Sequence, residues 1–220
     1  MYKRQVNAIA AVCEAVGADV NDVVLGMGYD KRIGDAFLRP GPGWGGSCFP
    51  KDSHALVKIA ADAGYDFGLL KGVISVNDDQ FKRVADKVRV AAGGSLEGVT
   101  VAVWGLTFKA RTDDLRDSPA LEIIGRLREQ GAIVQAYDPA IEAGSGDARL
   151  EGIDVCADPY AACEGAAVLA VLTEWDEFKW LDLDKVASTM ATPRVVDARN
   201  LLDRSALLRR GFTYRAIGRA

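Results

Sequence analysis

The hydrophobic pattern changes character partway along the chain. Up to residue 92 the apolar positions recur every three or four residues, the period of a helix face. Val6, Ile9, Ala10, Cys13 and Val16 share one such face, and Gly17 can end the helix. Asp19 is placed to cap a second helix reaching about Gly26, with Val20, Val23 and Val24 inward. A third is expected after Asp52, capped by Asp52 or Ser53. Its stripe is Ala55, Leu56, Ile59, Ala60 and Ala63, and Gly64 is its stop. A long fourth helix covers 67–92 on the stripe Leu70, Val73, Ile74, Phe81, Val84 and Val88. Gly93-Gly94-Ser95 then breaks the pattern and marks a domain boundary, giving a helical unit over 1–94 and a second unit over 95–220.

In the second unit the apolar residues gather in short runs. Those at 99–104, 132–137, 166–172, 194–196 and 212–216 predict strands, with helices at 119–130, 183–190 and 203–210. Ser118 caps the first of these helices, Pro119 takes its first position and Gly131 stops it. Strands separated by helices imply a Rossmann-like, doubly wound parallel sheet, so the fold class is α/β.

Composition narrows the possible partners. The formal net charge of -4 argues against a nucleic-acid or anionic-membrane binder. No apolar run approaches the roughly 20 residues of a membrane span. Cys13, Cys48, Cys156 and Cys163 show neither metal-ligand spacing nor a disulfide framework. His54 is the only histidine and reads as a surface or packing residue, which argues against a protease-like triad or a poly-histidine metal site. The reading is a reduced, cytoplasmic protein.

The candidate chemistry concentrates in 40–52, which holds four glycines, three prolines, Cys48, Lys51 and Asp52. Glycine permits sharp turns and close approach, and proline fixes φ, so such a loop holds a definite shape. A nearby cation and the positive end of a following helix both favour thiolate, the nucleophilic form of cysteine. The bland alternative is a surface turn with a buried, inert cysteine. In the second unit, the first strand ends in Gly105-Leu106-Thr107-Phe108-Lys109 with no G-x-G-x-x-G fingerprint. Lys109 sits beyond a strand's carboxyl end, where ligands of open sheets bind. Arg116 reads either as a ligand contact or as a salt-bridge partner of Asp113 or Asp117. The aromatics of the 173–178 stretch read as packing after a strand.

The run Gly43-Trp44-Gly45-Gly46-Ser47-Cys48-Phe49-Pro50-Lys51-Asp52 resembles the catalytic-cysteine motif of the UDP-glucose/GDP-mannose dehydrogenase family. Residues 105–119 resemble a second motif of that family and Val196-Asp197-Ala198-Arg199-Asn200 a third, so the resemblance covers almost the whole chain; residues before Val6 match poorly. The resemblance implies a helical central domain followed by a UDP-sugar-binding Rossmann-like domain. The family's N-terminal NAD-binding Rossmann domain is absent from this sequence, as are a lysine and an asparagine that the family places upstream of Val6. It implies NAD-dependent oxidation of UDP-glucose to UDP-glucuronate, with Cys48 as nucleophile and Asp52 helping to position water. It assigns Phe37, Arg39, Gly43, Trp44, Gly45, Phe108, Lys109 and Arg199 to the sugar nucleotide, and Lys51 and Arg116 to the cofactor. Arg32 would reach the substrate site of a neighbouring subunit in a homodimer. Phe49 and Thr173-Glu174-Trp175 lean towards the UDP-glucose branch. The alternatives are GDP-mannose or a UDP-N-acetyl-hexosamine as substrate, or a non-catalytic UDP-sugar-binding or dimerisation module.

Overall fold

The computed structural model describes residues 2–219, and the side chains of 5–219. The poorly matching start of the chain therefore lies largely outside the described side chains. Four helices come first: α1 (Tyr2–Val16), α2 (Val20–Gly28), α3 (Phe49–Asp62) and α4 (Gly68–Ala92). The rest alternates as β1 (Thr100–Trp104), α5 (Pro119–Arg128), β2 (Ile133–Tyr137), β3 (Asp154–Val155), β4 (Val168–Val171), α6 (Leu183–Thr189), β5 (Arg194–Asp197), α7 (Arg204–Arg209) and β6 (Thr213–Ala216). The strands form one parallel sheet in the order β3-β2-β1-β4-β5-β6. The chain reverses direction across the sheet between β1 and β4, the switch point at which such sheets open a crevice.

The two-residue alternation of strands divides the core. Val101 and Val103 of β1 and Ala170 of β4 face a cluster shared with α1, α2, α4 and α5. Ala102, Trp104, Leu169 and Val171 face the other side, with Phe178, Val186 and Leu207. Trp104 stacks on Phe178 with ring centroids 5.2 Å apart. Phe81, Val84, Ala85 and Val88 of α4 belong to the first cluster. The apolar core therefore runs unbroken past Gly93 and Gly94, from the first helices into the sheet. Near the other end of the chain, Val20 N–H donates to the Gly218 carbonyl at 2.8 Å, and Gly218 N–H donates to Glu14 at 2.6 Å.

Several expectations change. Val16 ends α1 exposed rather than inward. The third helix begins at Phe49, not after Asp52, and Cys48 is its N-cap residue, with no side-chain capping bond. Pro50 lies in its first turn, where a missing N–H is harmless. The apolar stripe of α3 is also largely uncovered: Leu56 is 47% and Ile59 63% exposed. A short sixth strand, β3, escapes the pattern because two residues carry no period. Asp19 and Ser118 cap α2 and α5 as expected, accepting from Asn21 N–H and Ala120 N–H. Among the described residues no helix is long and apolar enough to cross a membrane.

Candidate active site

The glycine loop is shaped from outside itself. Asn7 on α1 accepts from Gly41 N–H at 2.9 Å. Gln80 on α4 donates to the Gly41 carbonyl at 2.8 Å. Asn77 accepts from Trp44 N–H at 2.8 Å and donates back to the Trp44 carbonyl at 3.1 Å. Gly46 N–H donates to the Asp117 carbonyl at 3.2 Å. Asn77 and Gln80 are buried, so these bonds form away from competing water. A Cβ at Gly43 would overlap the Phe81 ring, and one at Gly45 the Asp117 carbonyl oxygen. Gly46, at φ 91°, lies against the Phe108 ring. None of these three positions has room for a side chain.

This path delivers Cys48 to the start of α3, where the unpaired amides and helix dipole present partial positive charge. The cysteine is exposed, with Ser47 Oγ 3.7 Å from its Sγ. A buried, inert thiol is thereby excluded at this position. Lys51 and Asp52 follow on the first turn, both exposed. Trp44 meets Phe49 edge-on at 4.6 Å between centroids and lines a cavity of about 470 Å³ with His54, Phe81 and Leu115.

The sheet brings two further loops to the same end. After β1, the turn carrying Phe108 and Lys109 is held by Asp138 at the end of β2. One oxygen of this buried carboxylate accepts from Leu106 N–H at 2.7 Å, Thr107 N–H at 3.0 Å, the Thr107 hydroxyl at 3.0 Å and the Trp175 indole at 3.2 Å. In a dinucleotide-binding sheet the amides of this turn face a pyrophosphate. Here the protein's own carboxylate occupies them. Lys109 Nζ lies 5.2 Å from the Phe108 ring centre.

After β5, Asp197 plays the matching part. It accepts from Arg199 N–H at 3.0 Å, from Leu201 and Leu202 N–H at 2.7 Å each, and from the Tyr214 hydroxyl at 3.1 Å. Burial pushes the Asp197 carboxyl up, and these donors oppose the shift. Arg199 Nε donates to the Leu172 carbonyl at 2.8 Å and stands 3.1 Å from Glu174 Oε2. Its Nη1 lies 3.2 Å from where a Gly41 Cβ would stand. Arg199, Arg39, Lys179, Leu38, Val24 and Asn21 help line a second cavity of about 610 Å³, open beside the glycine loop.

The other residues singled out by the sequence fall as follows. Arg116 pairs with Asp114 at 2.8 Å, not with Asp113 or Asp117, and holds that carboxyl down at about 2. Cys48 is among the groups near its guanidinium. Arg32 is on a surface turn, paired with Asp30 at 2.6 Å, and is absent from the walls of either cavity. Phe37 is exposed at the edge of the loop. Asn7, Asn77, Gln80 and Asp138 belong to none of the motifs quoted above, and Asp197 and Glu174 lie within motif stretches that gave them no role of their own. For Asn77 the available signal was a polar residue in register with the apolar stripe of α4, between Ile74 and Phe81. Among the described residues no group of three or more histidine, cysteine or acidic side chains is arranged to hold a metal ion.

The fold is that of an α/β protein, with an exposed cysteine presented at a helix start and a cleft beside it whose walls include Arg39, Lys179 and Arg199. Two family models match the chain: the UDP-glucose/GDP-mannose dehydrogenase central domain over residues 4–79, and the same family's UDP-binding domain over 102–204. The chain belongs to the UDP-glucose/GDP-mannose dehydrogenase family. It is 48% identical over 216 residues to a UDP-glucose 6-dehydrogenase of Rhizobium meliloti (strain 1021), covering 97% of this chain and 49% of that protein. Among solved structures it resembles a UDP-glucose dehydrogenase of Pyrobaculum islandicum at 31% identity and TM-score 0.83, covering 99% of this chain and 48% of that one. It also resembles an NDP-N-acetyl-D-galactosaminuronic acid dehydrogenase of Methanosarcina mazei Go1, at 26% identity and TM-score 0.85, covering 98% and 47%. The chain spans about half the length of the curated relatives it matches.

Proposed function

We propose that this chain is the cysteine-bearing, UDP-binding half of an enzyme that oxidises UDP-glucose to UDP-glucuronate with NAD. The observation that carries the reading is the packing of one glycine loop, which fixes Cys48 while lying against Phe108 and Arg199. The cavity beside Arg199 suits a nucleotide: Arg39, Lys179 and Arg199 supply positive charge, and Val24, Leu38 and Leu201 an apolar wall. Asp35 and Glu174 share its lining and would face the cations rather than the phosphates.

In this reading the sugar of the nucleotide so held reaches Cys48 with its C6. Once C6 is an aldehyde, Sγ attacks the carbonyl carbon and the oxygen takes up a proton, giving a thiohemiacetal. Loss of hydride from that carbon and of the proton from its hydroxyl leaves a thioester, and water releases the acid and restores the thiol. Asp52, one helical turn beyond Cys48, would orient that water. NAD, when bound, supplies the hydride acceptor. Lys51 and Arg116 are the cations of this chain that suit it, since the amides of the sheet's first turn are already taken by Asp138. Arg32, exposed and away from the cavities, would serve the site of a second copy in a homodimer.

Calorimetry on this chain tests the binding half of the reading. UDP should bind and NAD should not, with Lys109→Ala and Arg199→Ala each weakening UDP. Tight NAD binding without UDP binding would reverse the assignment. In the whole enzyme, Cys48→Ala should abolish acid formation while UDP-glucose still binds. A second reading keeps the chemistry and changes the sugar, supported by the likeness to the Methanosarcina mazei Go1 protein. Turnover of the whole enzyme on a panel of nucleotide sugars separates the two.

A further inference from the structure

Arg199 is a largely buried cation, with 15% of its side chain exposed, anchored only at the inner end of its guanidinium. Nε is engaged by Leu172 and Glu174, while neither Nη makes a hydrogen bond among the described residues. Glu174 Oε2 is also unusual: it is buried and accepts no hydrogen bond. A buried carboxylate oxygen without a donor is unfavourable, so its place beside Arg199 needs a compensating gain. The topology explains how the two meet. Strands β4 and β5 are parallel neighbours with Val171 opposite Asp197, so Glu174 and Arg199 leave the sheet side by side. Asp197 fixes the backbone of Arg199, and Glu174 is the carboxylate nearest its head. Burial pushes the Arg199 guanidinium down from its ordinary value, and Glu174 is the first group to oppose this.

We propose that Glu174 is a positioning residue, which holds the free Nη fork of Arg199 turned towards the cleft where a nucleotide's phosphates lie. The inference rests on the nucleotide-sugar reading above. A guanidinium held at Nε presents its two Nη groups as a planar fork, the geometry that matches a phosphate. Without Glu174 the cation keeps its Leu172 bond but loses the charge that offsets its burial.

The test is a binding cycle on this chain, with UDP and uridine titrated into wild type, Glu174→Gln, Arg199→Ala and the double variant. Glu174→Gln should weaken UDP by about tenfold and leave uridine within about twofold, because only the phosphates meet the fork. In the Arg199→Ala background the same change should have no further effect on UDP, since coupled residues do not act additively. A purely structural role would weaken uridine and UDP alike. Unchanged UDP affinity in Glu174→Gln, an equal loss for uridine, or additive effects in the double variant would each overturn the proposal. Wild-type protein that binds no UDP would overturn the nucleotide-sugar reading itself and this inference with it.

Discussion

Asn77 grips Trp44 with both ends of its amide: Trp44 N–H donates to Asn77 Oδ1 at 2.8 Å, and Asn77 Nδ2 donates to the Trp44 carbonyl at 3.1 Å. The pair spans 33 residues of sequence and ties the glycine loop to the longest helix. Removing the amide leaves a donor and an acceptor of the loop unmatched, so Asn77→Ala should cost about 1–3 kcal/mol of stability. Asn77→Asp keeps the acceptor for Trp44 N–H but sets a buried carboxylate against the Trp44 carbonyl, so its cost should be the larger. Denaturant unfolding of both variants checks the order.

Two glycines should respond in opposite directions to the same substitution. At Gly45 an added methyl overlaps the Asp117 carbonyl, a backbone atom that cannot turn aside, so Gly45→Ala should destabilise by about 2–3 kcal/mol. Gly72 lies inside α4 with nothing within 4 Å of a new Cβ. Gly72→Ala should therefore stabilise by about 0.5–1 kcal/mol, through the lower entropy of the unfolded chain. Thermal melts that moved the same way for both would contradict this packing.

The Asp114–Arg116 pair gives an acid-sensitive contribution. Arg116 holds the Asp114 carboxyl at about 2, below its ordinary 3.8. A lowered folded-state value means that the contribution is fully present above about pH 4 and is lost as pH falls through about 2. Arg116→Gln should therefore be less stable than wild type near neutral pH, and the difference should shrink across that acid window. Urea midpoints measured along the pH scale would show the convergence; a gap that widened in acid would contradict the pairing.

Alkylation should separate the four cysteines. Cys48 is exposed, Cys156 half-buried with its thiol pushed up by burial, and Cys13 and Cys163 buried, the latter pushed up to about 12. Iodoacetamide should label Cys48 first, Cys156 slowly, and the other two only with unfolding. Peptide mass spectrometry over time reads the sequence of labelling, and early modification of Cys163 would count against the core described here.

Much of this architecture was legible because apolar periodicity reports a face directly. The strands through Val101–Trp104 and Val168–Val171 and the caps at Asp19 and Ser118 followed from local rules. Periodicity does not say what covers a face, so the stripe containing Leu56 and Ile59 was recognised but its exposure was not. The start of α3 was expected after Asp52 because Asp52 and Ser53 offer caps, whereas the helix opens at Phe49 with Pro50 in its first turn. In the site, Cys48 and Arg199 stood out through motifs of neighbouring residues. Asn77 and Asp138 did not, because each completes a segment distant in sequence, and spacing does not encode such bonds; Glu174 sat in a motif stretch, but its partner Arg199 was not legible from it.

The packed glycines also set where this kind of site can vary. Gly43, Gly45 and Gly46 are wedged against Phe81, Asp117 and Phe108, on three separate stretches of the chain. Replacing any of them demands an answering change elsewhere, so the loop is closed to single-step substitution. The walls of the neighbouring cleft are not: Asn21, Leu25, Arg39 and Lys179 face its opening and can be exchanged one at a time. Those walls can therefore be remodelled while the frame that presents Cys48 stays as it is.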